Sequence, residues 1–154
     1  MSINKNTSVN PKICGLSYVL KSEIKEATIK YAPDINGISF DLEDEKQWKD
    51  LYYSETSITF QEPTELSDAG LIYKPVMSLY FPGLTTTQEV ELNKLINQPA
   101  VFLLEYTDGN KLVVGNYYEP AKLIPAFNSN PDFTGISFTI AAICSQKSRF
   151  LVVL

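Results

Sequence analysis

Short runs of β-branched and aromatic residues, separated by turn residues, recur along most of the chain and restrict its fold. Such runs have the composition and length of strands rather than of helices. They predict strands near residues 16–20, 27–31, 37–42, 50–54, 57–62, 70–81, 100–106, 111–116, 135–143 and 149–154. Because only the segment 86–96 has the length of a crossover helix, antiparallel connections should dominate.

The segment 100–116 carries the clearest local signal in the sequence. Asp108 and Gly109 lie between two apolar runs. These two residue types supply the positive φ angles that a tight hairpin turn requires. The sequence therefore predicts a hairpin centred on Asp108 and Gly109.

One helix is predicted, over residues 86–96. Thr86 and Glu89 have the spacing of a capping box, and Pro99 prevents the helix from continuing. Between them, apolar side chains recur at near-helical intervals, at Val90, Leu92, Leu95 and Ile96.

A long apolar stretch over 71–81 is interrupted by Pro75 and followed by Pro82 and Gly83. Proline lacks the N–H that a central strand donates to its neighbour, so it is confined to an edge, a bulge or a bend. We therefore expect this stretch not to form one straight central strand.

Together these elements predict a mainly β domain, an antiparallel β-sandwich or partly open barrel with one short flanking helix. The chain has 154 residues of uniform composition, which favours a single domain over residues 14–154. Residues 1–13 are polar and lack periodic apolar positions, so we expect them to form a flexible N-terminal arm.

Composition excludes several classes of function. The chain contains no histidine, which removes Ser-His and Cys-His nucleophiles and most zinc sites. It also lacks a catalytic motif and a phosphate-binding loop. We therefore expect a non-enzymatic protein with no catalytic residue, no cofactor and no metal site.

The charge pattern argues against tight nucleic-acid binding. The formal net charge is -5, and the 13 Lys and Arg residues are scattered rather than clustered. A phosphate backbone is held by concentrated cations that displace its counterions, so DNA is expected to pass without specific binding. No apolar run of about 18 residues is present to span a bilayer, which predicts a soluble protein without a membrane partner.

The two cysteines, Cys14 and Cys144, lie far apart in the sequence and do not make a disulfide framework. We expect two reduced, buried thiols. The N-terminal residues lack the apolar segment of a secretory signal, which predicts synthesis in a reducing, intracellular compartment.

Two segments could be interpreted as cation sites, but an ordinary structural role is favoured for each. The acidic run 41–45 is expected to form a solvated loop and the first turn of a short helical segment before Trp48. Trp48 is expected to anchor the hydrophobic core. The segment 128–139 matches a calcium loop poorly, because Pro131 interrupts it and Thr139 replaces the bidentate glutamate.

The adjacent pairs at 52–53 and 117–118 are tyrosines that could stack on sugars or unpaired bases. Adjacent side chains of a strand point to opposite faces, so at most one tyrosine of each pair is expected to serve a common platform. Packing at the core and its rim is the favoured role.

The chain ends on apolar residues, whereas chain termini usually fray into water. Such a strand pairs within its own sheet or with the exposed edge of a neighbouring subunit, and both alternatives stay open. A possible subunit interface is therefore assigned to five residues: Phe150, Leu151, Val152, Val153 and Leu154.

Several of these segments together carry a family resemblance. The hairpin VFLLEYTDGNKLVVGN at 101–116, the PAKL segment at 120–123 and DFTGISFTIA at 132–141 are preceded by CGLS at 14–17. In this order they resemble small tail and neck structural proteins of tailed bacteriophages, and more narrowly those of crAss-like and related phages of Bacteroides-type bacteria.

The resemblance implies a virion protein of the tail or head-tail neck, made in the cytoplasm of a bacterial host and assembled as a ring around the DNA channel. Its partners would be copies of itself, six or twelve to a ring, and other tail or neck proteins. The alternative is a small β-sandwich module that binds carbohydrate or peptide through exposed tyrosines, and a carboxylate hydrolase ranks last.

Overall fold

The computed structural model describes residues 12–32, 35–51, 58–81, 86–129 and 134–151. Strands predominate there, beside one short helix and a single 3-10 turn, Lys21–Glu23. The strands are β1 (Ile13–Leu20), β2 (Ile24–Ala32), β3 (Ile35–Leu42), β4 (Lys49–Asp50), β5 (Thr59–Gln61), β6 (Thr64–Ser67), β7 (Gly70–Tyr73), β8 (Val76–Phe81), β9 (Ala100–Tyr106), β10 (Lys111–Val114), β11 (Lys122–Ser129), β12 (Thr134–Ala141) and β13 (Arg149–Leu151).

Two sheets and a separate two-stranded ribbon contain these strands. The large sheet has the order β2-β3-β13-β10-β9-β1-β4, the small sheet the order β11-β12-β8-β5, and β6 pairs only with β7. Neither sheet closes on itself. The predicted antiparallel β fold with one short helix is confirmed, and within the described ranges no closed barrel forms.

The main core lies between the two sheets. Phe102 and Leu104 of β9 and Val114 of β10 are fully buried on the inner face of the large sheet. They belong to the same cluster as Met77 of β8 and Phe138 of β12 in the small sheet. Because successive strand residues alternate in direction, every second residue of β9 faces this core.

The intervening residues of β9 face a second, smaller core. Val101 and Leu103 are buried there together with Val113 and Ile38. Trp48 packs on this cluster, its ring 5.8 Å from that of Phe40 in an edge-to-face contact. Both faces of β9 are therefore covered, and Trp48 is the core anchor that the sequence predicts.

The predicted helix forms as α1, Thr86–Leu95. Leu92 and Leu95 are buried in the main core, which fixes the helix against the sandwich. Asn97, just beyond its end, has a positive φ of 69°, the left-handed conformation that commonly terminates helices and that asparagine tolerates.

The predicted hairpin also forms, from β9 and β10. Its strands pair in register from Lys111 opposite Glu105 to Val114 opposite Phe102. Gly109 has the expected positive φ, 89°, but Asp108 does not, so this part of the prediction was wrong. Asp108 instead shapes the turn through its carboxylate, which accepts the Asn110 backbone N–H at 3.0 Å. Strand β10 ends at Val114 rather than at residue 116, because Gly115 turns the chain with a φ of 82°.

The stretch around Pro75 breaks as expected. Strand β7 ends at Tyr73 and β8 begins at Val76 in a different sheet. Strand β5, the partner of β8, ends at Gln61, shortly before Pro63. Beyond Pro63 and Pro75 the same two chain segments pair again, as the ribbon β6-β7. The sequence did not predict strand β6.

Three other expectations were wrong. Strand β11 was missed because it contains Pro125, which an edge strand tolerates. The acidic run ends in a turn closed by the Lys46 N–H bonded to Glu43, and no helical segment precedes Trp48. Cys14 is exposed because it is the residue at which the β1–β9 register shifts.

Antiparallel pairing dominates among the described strands, as predicted, although β13 and β3 pair in parallel.

Strand β1 starts at Ile13, next to the boundary proposed between the arm and the domain. Residues 1–11 of the arm lie outside the described residues. Within the described ranges, no helix has the length and apolar character needed to cross a bilayer.

Candidate functional site

The loop 115–121, between β10 and β11, carries the adjacent tyrosines. A Cβ added to Gly115 would lie 2.8 Å from the backbone nitrogen of Ala121, so the two ends of the loop are in contact. Asn116 then shapes the loop, because its Oδ1 accepts the N–H groups of both Tyr118 and Glu119 at 2.8 Å. The backbone beneath the tyrosines is thereby held in one conformation.

A second loop, 142–148, lies beside the first and is held by two carboxylates. Glu119 accepts the backbone N–H of Ser145 at 3.0 Å and its hydroxyl at 2.9 Å. Glu62, from the other side, accepts the backbone N–H of Ser148 at 3.1 Å. Charged acceptors form the stronger class of hydrogen bond, so these contacts join the loop to β5 and to the tyrosine loop.

Between the two loops lies a cavity of about 300 Å³, which we call the tyrosine cleft. Its wall includes both adjacent tyrosines and the apolar side chains of Ala27 and Ile38. Polar groups complete it, namely Asn116, Glu119, Ser145, Gln146 and Arg149. This combination of aromatic, apolar and a few polar groups is typical of small-molecule sites.

The two tyrosines have different surroundings. The rings of Tyr117 and Tyr118 meet edge to face with centroids 5.3 Å apart. The Lys21 Nζ lies 5.3 Å from the centre of the Tyr117 ring, and Tyr117 packs on the second core. Tyr118 is 76% exposed, so its ring is presented to solvent on a firmly held loop.

The expectation that only one tyrosine of this pair can serve a common surface was wrong. It assumed that 117–118 continue strand β10, whereas the strand ends at Val114 and both tyrosines line one cavity. The turn at Gly115 is the signal that could have shown this, because a positive φ ends the strand alternation. The other pair, residues 52–53, lies outside the described residues.

Cys144 is a buried residue of loop 142–148, and its backbone exchanges two 2.8 Å hydrogen bonds with Tyr73. Burial raises the pKa of its thiol to about 11, and the negative charges of Glu119 and Glu62 add to the effect. The thiolate is the nucleophilic form. This environment therefore keeps Cys144 protonated and unreactive near neutral pH.

We expect the two thiols to differ in reactivity in the folded protein. At pH 8, about one molecule in a thousand carries the Cys144 thiolate, whereas Cys14 is exposed. Iodoacetamide labelling followed by mass spectrometry should add one label to the native chain and two after denaturation, and labelling of Cys144 should accelerate as the pH approaches 11. Native Cys14→Ser protein that is labelled rapidly at pH 8 would contradict this assignment.

A second concave surface lies on the other side of loop 142–148. This groove, of about 560 Å³, is lined by apolar side chains of both sheets and of the ribbon, and we call it the phenylalanine groove: Phe60, Tyr73, Leu112 and Phe150. Glu62, Thr64, Lys147 and Ser148 form its polar margin. It is an opening between the two layers of the sandwich.

The predicted subunit-interface residues lie in part at this groove. Phe150 is 45% exposed within it. The backbone of Arg149–Leu151 pairs with β10 on one side and β3 on the other, which is the alternative of pairing within its own sheet. Val152, Val153 and Leu154 lie outside the described residues, so the interface assignment stays a prediction.

The acidic run and the Asn-rich segment were the two candidate cation sites of the sequence. Glu43, Asp44 and Glu45 are exposed, and residues 130–133 of the calcium-like segment lie outside the described residues. In the part of the chain that the structure describes, no group of three or more Cys, Asp or Glu residues is placed to hold a metal.

Sequence reasoning missed a buried carboxylate, that of Glu23. Its Oε1 accepts the Leu20 backbone N–H at 3.1 Å, and its Oε2 lies 3.7 Å from Lys46 Nζ and 3.9 Å from Lys49 Nζ. These partners account for its burial by closing the turn between β1 and β2, and none of them belongs to either concave surface.

Comparison of the chain with models of protein families, with curated proteins and with solved structures found no match.

Proposed function

We propose that this chain is a non-enzymatic structural subunit of a tailed-bacteriophage virion, in the tail or the head-tail neck, that assembles into a ring around the DNA channel. The observation that carries the proposal is the ribbon β6-β7, which extends from the small sheet beyond Pro63 and Pro75 and ends in exposed apolar side chains. The resemblance of the hairpin and of the segment 132–141 to tail and neck proteins indicates the virion setting.

The ribbon has the chemistry of a contact element. Leu66 and Leu71 are directly opposite each other in its register, and they are 80% and 52% exposed. Single exposed leucines are ordinary, but this pair forms one apolar surface at the end of an isolated two-stranded element. Such a ribbon is only marginally stable in water, and packing on another subunit would stabilise it.

The phenylalanine groove offers the complementary surface. It lies at the base of the ribbon, where Thr64 pairs with Tyr73, whereas Leu66 and Leu71 are two residues farther along toward the tip. At about 3.4 Å per residue, the leucine pair is roughly 7 Å from the base along the ribbon. The tip therefore fits the groove of a neighbouring copy better than its own, and repeated contacts between different surfaces generate rings when the rotation closes.

The charge agrees with a conduit for DNA. A subunit with a net charge of -5 and no cluster of cations repels the phosphate backbone weakly instead of holding it. Genome passage through a ring requires this property, because a strongly basic lining would retain the DNA.

The oligomeric state tests the proposal. By analytical ultracentrifugation the wild-type chain is expected to form species whose mass increases with concentration, and electron microscopy should show closed rings of six or twelve copies. The double variant Leu66→Thr, Leu71→Thr keeps residues suited to strands and should be monomeric. The matched control Ile143→Thr changes an equally exposed side chain, 69% exposed, and should still assemble.

Two results would overturn this assignment. The first is a wild-type chain that stays monomeric at every concentration, even with partner virion proteins present. The second is a double variant that assembles like wild type. Because both leucines are largely solvent-exposed, thermal unfolding of the variant should match wild type, which separates loss of contact from loss of fold.

A further inference from the structure

We infer that the tyrosine cleft is a saccharide-binding site, in which the ring of Tyr118 stacks on the apolar C–H face of a sugar. This inference goes beyond the proposed assembly and depends on different residues. Neither Leu66 nor Leu71 of the ribbon lines the cleft, so each proposal can fail without the other.

Tyr118 is exposed on a loop whose backbone is firmly held. The Tyr118 ring is 76% exposed, so few packing contacts hold it in place. The loop backbone beneath it is nevertheless held in one conformation. Asn116 binds two consecutive backbone N–H groups, and Glu119 binds Ser145. A rigid loop lowers the entropy that a ligand must overcome on binding, and this is the usual basis of preorganised recognition.

Polar groups that can donate and accept hydrogen bonds lie beside the Tyr118 ring. Sugar hydroxyls both donate and accept hydrogen bonds, so a sugar site needs both kinds of partner. The exposed amide of Gln146 supplies a donor and an acceptor, and the Ser145 hydroxyl can accept while it donates to Glu119. Asn116 uses its Oδ1 for the backbone, and its Nδ2 is a further donor.

The charge and the size of the cleft suit an uncharged sugar. The cleft holds the carboxylate of Glu119 as well as Arg149, and the chain is acidic overall. A nucleic-acid strand needs several cations to replace its counterions, whereas an uncharged sugar needs none. A volume of about 300 Å³ is at the lower end for ligand sites, which suits one or two sugar units.

Saturation-transfer NMR on the full chain tests the inference directly. The probes are the methyl glycosides of glucose, galactose, mannose and N-acetylglucosamine, each at millimolar concentration. At least one should receive saturation at its ring C–H protons, and titration calorimetry should yield its affinity. Tyr118→Ala should weaken that affinity at least about tenfold, whereas Tyr118→Phe, which keeps the ring, should bind within a few-fold of wild type.

The controls make each outcome decisive. Leu66→Thr, Leu71→Thr protein should bind the glycoside like wild type even if it no longer assembles. The inference is overturned if none of the four glycosides receives saturation, if Tyr118→Ala binds as well as wild type, or if a thymidine oligonucleotide binds at this surface more tightly than every glycoside. Thermal unfolding of both Tyr118 variants should be unchanged, because this side chain is mostly in solvent.

Discussion

Replacing Gly115 with alanine is expected to lower the free energy of unfolding by about 2–5 kcal/mol. The first reason is conformational, because φ at Gly115 is 82° and an L-residue there costs ~1–2 kcal/mol. The second is steric, because the new Cβ would lie 2.8 Å from the backbone nitrogen and 3.2 Å from the Cβ of Ala121. Overpacking of this kind costs ~1–3 kcal/mol.

The neighbouring turn provides a matched control. Gly109 has nearly the same φ, 89°, but a Cβ added there would have no atom within 4 Å. Gly109→Ala should therefore lose only the conformational part, ~1–2 kcal/mol. Urea unfolding followed by the fluorescence of Trp48 measures both variants, and equal losses would show that the approach of Ala121 contributes nothing.

The Gly115 variant should also affect the tyrosine cleft. The contact with Ala121 holds the ends of the loop together, and Ala121 exchanges backbone hydrogen bonds of 2.8 and 3.0 Å with Ala100 of β9. A displaced loop would move Tyr117 and Tyr118 relative to loop 142–148. We therefore expect the saccharide affinity proposed for this cleft to fall in the Gly115 variant, although none of the residues proposed to contact the sugar has changed.

Replacing Phe102 with alanine is expected to cost about 3–5 kcal/mol, the usual range for deleting a fully buried aromatic ring. Phe102 has no solvent exposure and lies at the centre of β9, opposite both Tyr18 of β1 and Val114 of β10. Its ring is 6.4 Å from that of Tyr18. The surrounding side chains come from both sheets, so the cavity left behind cannot close by movement of one element.

The control for this variant is Phe150→Ala, the same change at a half-exposed position of β13. It should cost clearly less, since part of the ring is already in water. Thermal unfolding should show the difference, at roughly 2–4 °C for each kcal/mol in a domain of this size. If the two variants had equal midpoints, the main core would not be centred on β9.

Local chemistry explains which elements were predictable. The hairpin turn at Gly109, the helix over 86–96 and the break at Pro75 each depend on residues within a few positions of one another. Their structures follow from backbone φ preferences, apolar periodicity and missing N–H groups, which act in the same way in many tertiary settings. The hairpin, the helix and the break were accordingly confirmed, whereas the capping box of Thr86 and Glu89 stays a prediction.

The errors arose where distant segments decide the outcome. Strand β11 forms because β12 provides a partner for all of its eight residues. Pro125 is tolerated because β11 is the edge strand of the small sheet as described, and no strand there pairs with its outer side. The ribbon likewise forms because β5 and β8 bring its two strands together. No local pattern contains that information.

The same division holds for the two concave surfaces. The sequence by itself determined a mainly β domain, the lack of histidine chemistry and the hairpin whose end carries Gly115, because composition and turn preferences are properties of short segments. Only the tertiary structure decided that Tyr117 and Tyr118 share a cleft and that Phe150 joins Phe60 in a groove. Those groupings depend on contacts between residues distant in the sequence, such as Glu119 with Ser145. Such a contact forms only after the strands between the two residues have paired.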